Sequence, residues 1–245
     1  MKTERNVLLI GASGGLGKHL TKGLAEAGYN LALHYNDNVD KLNQTLEEIK
    51  KLNIKHNIYK ADITREQEIE KMIAEVKDEF GRIDILINNA GVSINAMSWK
   101  MKADDWNKVL SVNLTGPFLC TKHALPLMKE NNWGRIIYMS SVVAQIGVPG
   151  TSAYAATKAG LLGLCKTISK EIIKNSITAN VVSLGYFDAG LLYEIPEDIR
   201  GQIKESIPKK EFGNPSEVVE CILYLCSDNS SYITGQAINL NGGLY

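Results

Sequence analysis

Residues 7–28 read VLLIGASGGLGKHLTKGLAEAG. The opening four, 7–10, are apolar without alternation, the pattern of a strand covered on both faces. Leu16, Leu20, Leu24 and Ala27 then recur at helical spacing until Gly28, where a glycine suits a helix end. The order is strand, glycine turn, helix. Gly11, Gly15 and Gly17 let the backbone turn tightly and come close to a ligand, while the free N–H groups and positive end of the new helix attract a phosphate. A glycine-rich segment alone marks little more than a turn, but between a first strand and a first helix it is built as a phosphate cradle.

The same alternation continues outward from this unit. Residues 30–35 give a second strand, and Val39, Leu42, Leu46, Ile49 and Leu52 mark a helix with its polar positions outside. Ile58 and Tyr59 lead through Ala61 to Asp62 at the end of a third strand, followed by the helical stripe Ile69, Met72, Ile73, Val76 and Phe80. Residues 83–87 form a fourth strand, 136–139 a fifth, 177–182 a sixth and 237–240 a last. Residues 106–128 read as one long apolar helical segment, interrupted near Gly116 and Pro117. A helix starts at Asn214-Pro215-Ser216-Glu217, with a cap, a proline at the first helical position and an acid three residues after the cap. Strands alternating with helices predict an α/β fold: one doubly wound domain over 1–245, a parallel seven-stranded sheet with helices on both faces. The pattern loosens over 186–212, which reads as a mobile flap over the site.

Chemistry gathers where strands should end, since open α/β sheets bind ligands at that edge. Ser140 and Ser141 close the fifth strand, and thirteen residues past Ser141 come Tyr154 and Lys158, one turn apart on one helix face. An ammonium near a phenol favours the phenolate and lowers its pKa toward that of a working proton donor or acceptor. A hydroxyl, such a phenol and a lysine can handle the proton of an alcohol/ketone pair while a cofactor carries the hydride. After the fourth strand, Asn88-Asn89-Ala90-Gly91 offers two amides to bond a neighbouring strand and two small residues that let a flat ring approach the backbone. Asp62 can open a turn or accept from an adenine amino group. Asn113, inside a helical segment, has an amide that must find partners, as a structural group or as a link in a proton path. The helix carrying Tyr154 is rich in small residues, Ala153, Ala155, Ala156, Ala159, Gly160 and Gly163, and has more than one apolar face, which fits burial against a partner subunit.

Composition narrows the partners. Lys plus Arg and Asp plus Glu number 27 each, so there is no electrostatic footprint for nucleic acid or an anionic membrane. Cys120, Cys165, Cys221 and Cys226 lack metal or redox spacing and read as reduced, buried apolar residues. The segment MKTERN is polar and the next apolar run is short, so no exported or membrane-anchored protein is expected. No metal site is expected either.

Taken in order, Gly11-x-x-x-Gly15-x-Gly17, Asp62, Asn88-Asn89-Ala90-Gly91, Asn113, Ser141 and Tyr154-x-x-x-Lys158 resemble the short-chain dehydrogenase/reductase family across essentially the whole chain. The resemblance implies a Rossmann-type NAD(P)-binding domain. It makes Tyr154 the acid/base, Lys158 the group that lowers its pKa and holds the nicotinamide ribose, Ser141 the donor to the substrate carbonyl, and Asn113 the anchor of a water in the proton relay. Gly11, Ser13, Gly14, Gly15, Leu16 and Gly17 would hold the pyrophosphate, Asp62 and Ile63 the adenine, and Asn89, Ala90 and Gly91 the adjoining ribose. Asn36, Gly185 and Phe187 complete the implied cofactor contacts.

Within the family, SSYITGQAINLNGGLY and IPKKEFGNPSEV are similar to 3-oxoacyl-thioester reductases, which act on acyl groups carried by acyl carrier protein or coenzyme A. This implies NADP(H)-dependent reduction of a 3-oxoacyl thioester in fatty acid biosynthesis, in the cytoplasm, by a homotetramer. Four positions depart from the pattern: Leu184 precedes Gly185 where the family has proline, Ala189 stands for a threonine that contacts the carboxamide, and Asn132 and Asn175 stand where carrier-protein reductases tend to carry arginines. NADP(H) is favoured because Tyr35 and Asn36 replace an acid after the second strand, and NAD(H) stays possible. An NAD-dependent dehydrogenase of a sugar, polyol or cyclic alcohol, and a non-catalytic dinucleotide-binding module, stay open as alternatives on the same scaffold.

Overall fold

A computed structural model describes residues 5–245. The elements follow one another as β1 (Asn6–Ile10), α1 (Gly15–Glu26), β2 (Asn30–Tyr35), α2 (Val39–Ile49), β3 (His56–Lys60), α3 (Glu66–Phe80), β4 (Ile85–Asn88), α4 (Ala103–Leu110), α5 (Gly116–Glu130), β5 (Trp133–Ser141), α6 (Val143–Ile146), α7 (Ser152–Glu171), β6 (Ser176–Leu184), α8 (Glu197–Ser206), α9 (Pro215–Cys226) and β7 (Ala237–Leu240). All seven strands are parallel, in the order β3-β2-β1-β4-β5-β6-β7. The chain winds outward from β1 to β3 and then returns to the other side of β1. The crevice between the ends of β1 and β4 is therefore the switch point at which such sheets bind ligands.

Alternation of side chains across the sheet explains the two apolar layers. Leu8 and Ile10 face α3, α5 and α7, meeting Ile69, Met72, Cys120, Leu161 and Cys165. Val7 and Leu9 face the other way, toward Leu20, Leu24, Leu42, Val218 and Ile222. Each fully buried aliphatic side chain contributes about 1.5–3 kcal/mol, so both layers are needed to hold the sheet. Gly81 ends α3 in the left-handed conformation, and α9 starts on the expected capping box of Asn214 and Glu217. Cys120, Cys165 and Cys226 are buried free thiols, whereas Cys221, expected to be buried with them, is partly exposed on α9.

One further expectation is corrected. The long helical segment is not interrupted at Gly116 and Pro117; Gly116 is helical, and the irregularity lies upstream as a π-turn over Ser111–Thr115. The Gly116 N–H bonds the carbonyl of Ser111, five residues back. Pro117 has no N–H to give the carbonyl of Asn113, so its disturbance falls one turn before the proline. The segment 186–212 contains regular structure of its own. It carries a 3₁₀ turn over Gly190–Glu194 and then α8, and Phe187 pairs with Gly213 at its base.

Candidate active site

The cradle is made almost wholly of backbone. No side chain caps α1 at Gly14 and no acid lies in its first turn, so its leading N–H groups are left for an anion. Gly11 has φ +81°, and a Cβ there would lie 2.7 Å from the Ala90 Cα, so only glycine lets the loop rest on residues 89–91. The Asn89 amide donates to the Gly11 carbonyl at 2.9 Å, the cross-strand bond expected of the paired asparagines. Asn88 behaves differently: its side chain is buried with no hydrogen-bond partner.

His34 is a part that sequence reasoning missed. Its Nδ1 accepts the Gly11 N–H at 3.0 Å and its Nε2 meets the Ala61 carbonyl at 2.9 Å. A neutral ring with the proton on Nε2 satisfies both, and burial lowers its pKa in agreement. The imidazole thus ties the glycine loop to the chain leaving β3. In sequence a single histidine inside an apolar strand reads as filler, and only the neighbouring strand reveals its use.

The remaining cofactor candidates divide. Gly15 touches a distant segment, since a Cβ there would lie 2.5 Å from the Gly190 Cα. The turn after β6 therefore sits directly on the start of α1. Ser13, Gly14, Leu16 and Gly17 share this loop, with Gly17 buried against the Gly11 and Ala12 carbonyls. Asp62 lies beyond β3 and opens a turn: its Oδ1 accepts the Thr64 N–H and hydroxyl at 2.9 and 2.7 Å. Burial works against its charge, yet these bonds and the nearby Arg65 hold its pKa below the ordinary value. Ile63 is buried against Gly116. Asn36 is exposed and donates to the Asp37 carboxylate at 2.7 Å, a nearby acid that sequence reasoning passed over. Gly185 is pinned by its N–H to Leu240, and the Phe187 ring lies against Gly213. A cavity of about 280 Å³ lies between Tyr186, Phe187 and the residues following β7, apart from Tyr154 and Lys158.

Asn113, Ser141, Tyr154 and Lys158 do converge. Ser140 spends its hydroxyl on the Lys158 carbonyl at 2.9 Å, leaving Ser141 as the serine whose hydroxyl acts on Tyr154. The Val143 N–H holds the Ser141 Oγ at 3.3 Å. Lys158 is buried; its Nζ donates to the Met139 carbonyl at 2.8 Å and lies 5.4 Å from the Tyr154 ring centroid. Gly91 leaves room beside it, where a Cβ would lie 3.4 Å from Lys158 Nζ and 3.5 Å from Asn113 Oδ1. Asn113 exchanges two bonds of 2.8 Å with the Val92 backbone, so the π-turn fixes the chain leaving β4. π-turns inside α-helices are frequent at functional sites.

The expected lowering of the Tyr154 pKa is not found. Burial pushes the phenol up to about 12, against the downward pull of the neighbouring Ser141 hydroxyl. Lys158 is itself brought down to about 8 by burial, and its directed donor goes to Met139 rather than to the phenol. Tyr154 is therefore held as a protonated donor beside Ser141, with a lysine that can lose its charge near neutral pH.

The residues fit a nicotinamide dinucleotide, with an uncapped helix start for its phosphates and a glycine-lined recess at Gly91 next to Lys158. The chain belongs to the short-chain dehydrogenase/reductase family and is an NAD(P)-dependent oxidoreductase. The family model matching residues 11–245 is described as enoyl-(acyl carrier protein) reductase. Relatives named 3-oxoacyl-[acyl-carrier-protein] reductase FabG are 37% identical in Staphylococcus epidermidis over 99% of both chains, and 37% in Staphylococcus aureus over 100% of both. One from Thermotoga maritima is 38% identical over 100% of this chain and 99% of its own. Among the described residues, no helix is long and apolar enough to cross a membrane.

Proposed function

We propose that the protein reduces a 3-oxoacyl thioester to the 3-hydroxyacyl thioester, with NADPH as reductant. The observation that carries this is the convergence of Ser141 and Tyr154, two hydroxyl-bearing side chains, beside Lys158 and Asn113. Hydroxyl donors fixed before reaction suit an oxygen on which negative charge develops. Ser141 donates to the ketone oxygen, and Tyr154 delivers its proton to the same atom. The Lys158 charge favours the phenolate left behind, and Asn113 anchors the path by which that proton is replaced. Gly11 to Gly17 hold the dinucleotide phosphates, and Asn89 to Gly91 and Lys158 the ribose side. The bound cofactor supplies the hydride. Support for the thioester comes from the relatives' names and their full-length match.

NADH is the second reading, favoured by the Asp37 carboxylate beside Asn36, because a 2′-phosphate next to an acid is repelled. Mixing purified protein with acetoacetyl-CoA and either NADPH or NADH, and following loss of the reduced nicotinamide, tests both. Faster oxidation of NADPH supports the proposal, while oxidation of NADH alone replaces the cofactor. Turnover of crotonyl-CoA without turnover of acetoacetyl-CoA makes the protein an enoyl reductase and removes the ketone chemistry. A homotetramer in the cytoplasm completes the proposal. The face bearing Ala156, Ala159 and Gly163, with Phe118 45% exposed, suits a subunit contact, which light scattering of the eluting protein measures.

A further inference from the structure

Of the five arginines, four lie against carboxylates: Arg5 on Asp228, Arg65 on Asp62 and Glu68, Arg82 on Asp84, and Arg135 near Asp228. Arg200 does not. Among the described residues its guanidinium has neither an ion pair nor a hydrogen bond, and its Nε is buried without a partner. A buried donor left unpaired costs roughly 1–3 kcal/mol, more when charged, so it calls for an acceptor that the chain itself does not provide. Its one neighbour of note is the Tyr193 ring, 5.5 Å from its centroid.

Arg200 lines a pocket of about 270 Å³ together with Lys204, one turn further along α8, and with Leu192, Tyr193 and Phe212. Two acids share the lining, Asp188 and Glu197. Asp188 accepts the Tyr193 hydroxyl at 2.5 Å, and neither carboxylate pairs with Arg200 or Lys204. A planar guanidinium and an ammonium one turn apart, with an aromatic wall and no bound counter-charge, form a receptor for a tetrahedral oxyanion. The pocket belongs to the segment that leaves β6 beside Tyr154, close enough for Tyr186 to raise the Tyr154 pKa, and that rests through Gly190 on Gly15. The same segment thus joins the pocket to the surroundings of Tyr154 and to the start of α1.

We propose that Arg200 and Lys204 bind the phosphate of the substrate's pantetheine handle. The site rests on the thioester reading above and names the group by which the substrate is gripped. Coenzyme A and a phosphopantetheinylated carrier protein both present this phosphate.

Calorimetric titration of the full chain with 4′-phosphopantetheine and with pantetheine decides the matter without requiring turnover. Wild type is expected to bind the phosphorylated arm about tenfold or more tightly, Arg200→Gln to erase the preference, and Lys204→Gln to reduce it. Arg200→Lys, which keeps charge but not the planar fork, should retain part of it. Equal affinities in wild type, or an undiminished preference in folded Arg200→Gln, overturn the proposal. If Arg200→Gln does not fold, Lys204→Gln and competition by inorganic phosphate in wild type read the same preference. Tighter binding of coenzyme A assigns the free coenzyme, and tighter binding of the loaded carrier protein assigns the carrier; both support the site. Discrimination through Arg200 without reduction of acetoacetyl-CoA removes the reductase and keeps the receptor, whereas reduction without discrimination does the reverse.

Discussion

The two halves of the sheet's ligand-binding edge are built by opposite means. At β1 and β2 the work is done by backbone: Gly11 sits on Ala90, Asn89 and His34 hold that glycine by its carbonyl and N–H, and α1 is left uncapped. At β5 and α7 it is done by side chains, with Ser141, Tyr154 and Lys158 placed by burial and by hydrogen bonds to main chain. The first half is therefore sensitive to any added atom, and the second to the identity and charge of particular groups.

The largest effect should fall on the second half. Tyr154→Phe removes one oxygen and is expected to lower turnover by roughly 10² or more while leaving dinucleotide affinity within a few-fold. Unchanged turnover would end the proposed chemistry. Gly11→Ala should act in the reverse sense, costing roughly 1–3 kcal/mol of stability through its strained φ and its clash with Ala90. Thermal unfolding with and without dinucleotide measures this, and a variant as stable as wild type would contradict the close-packed cradle.

Protons separate the halves more finely. With Tyr154 pushed up to about 12, an alkaline limb in reduction belongs to Lys158, brought down to about 8. Reduction should therefore decline as pH rises through about 8, and the limb should be missing from the residual activity of Lys158→Met. His34 sets the smallest effect. Its folded pKa lies below the ordinary 6.5, so the unfolded chain takes up the proton first on acidification. Its stabilisation is full above 6.5 and is lost as pH falls below that value. Between about pH 7.5 and about 5.5, wild type should lose more melting temperature than His34→Gln. Equal losses would remove His34 from the cradle.

The backbone-built half was the easier to read, because apolar runs, glycines and paired asparagines carry their geometry in their spacing. Both doubly wound layers followed from the same periodicity. The choice of Ser141 over Ser140 rests on the family's thirteen-residue separation from Tyr154, and the structure engages the Ser140 hydroxyl with the Lys158 carbonyl. Contacts between segments far apart in the chain were not legible. No local pattern says that Gly190 will lie on Gly15, that His34 will reach Gly11, or that Arg200 alone among the arginines will lack a carboxylate. The Tyr154 pKa was misread for a related reason, since the four-residue spacing brings Lys158 near the ring but does not reveal that Met139 claims its directed bond.

The π-turn at Ser111–Thr115 has a consequence for how this chain can be edited. A π-turn holds one residue more than the α-helical turn it replaces. Removing a single residue there would leave a regular helix with α5 still in phase, whereas a regular α-helix of the full length would rotate everything after the turn by about 100° relative to α4. Cys120 and Ala124 would swing out of the apolar layer, and exposed residues such as Phe118 and Lys122 would swing toward it. A chain of this length could keep a perfect helix only by giving up the layer against which α5 packs. At this point in the molecule, an irregular turn is what keeps the rest of the helix in phase.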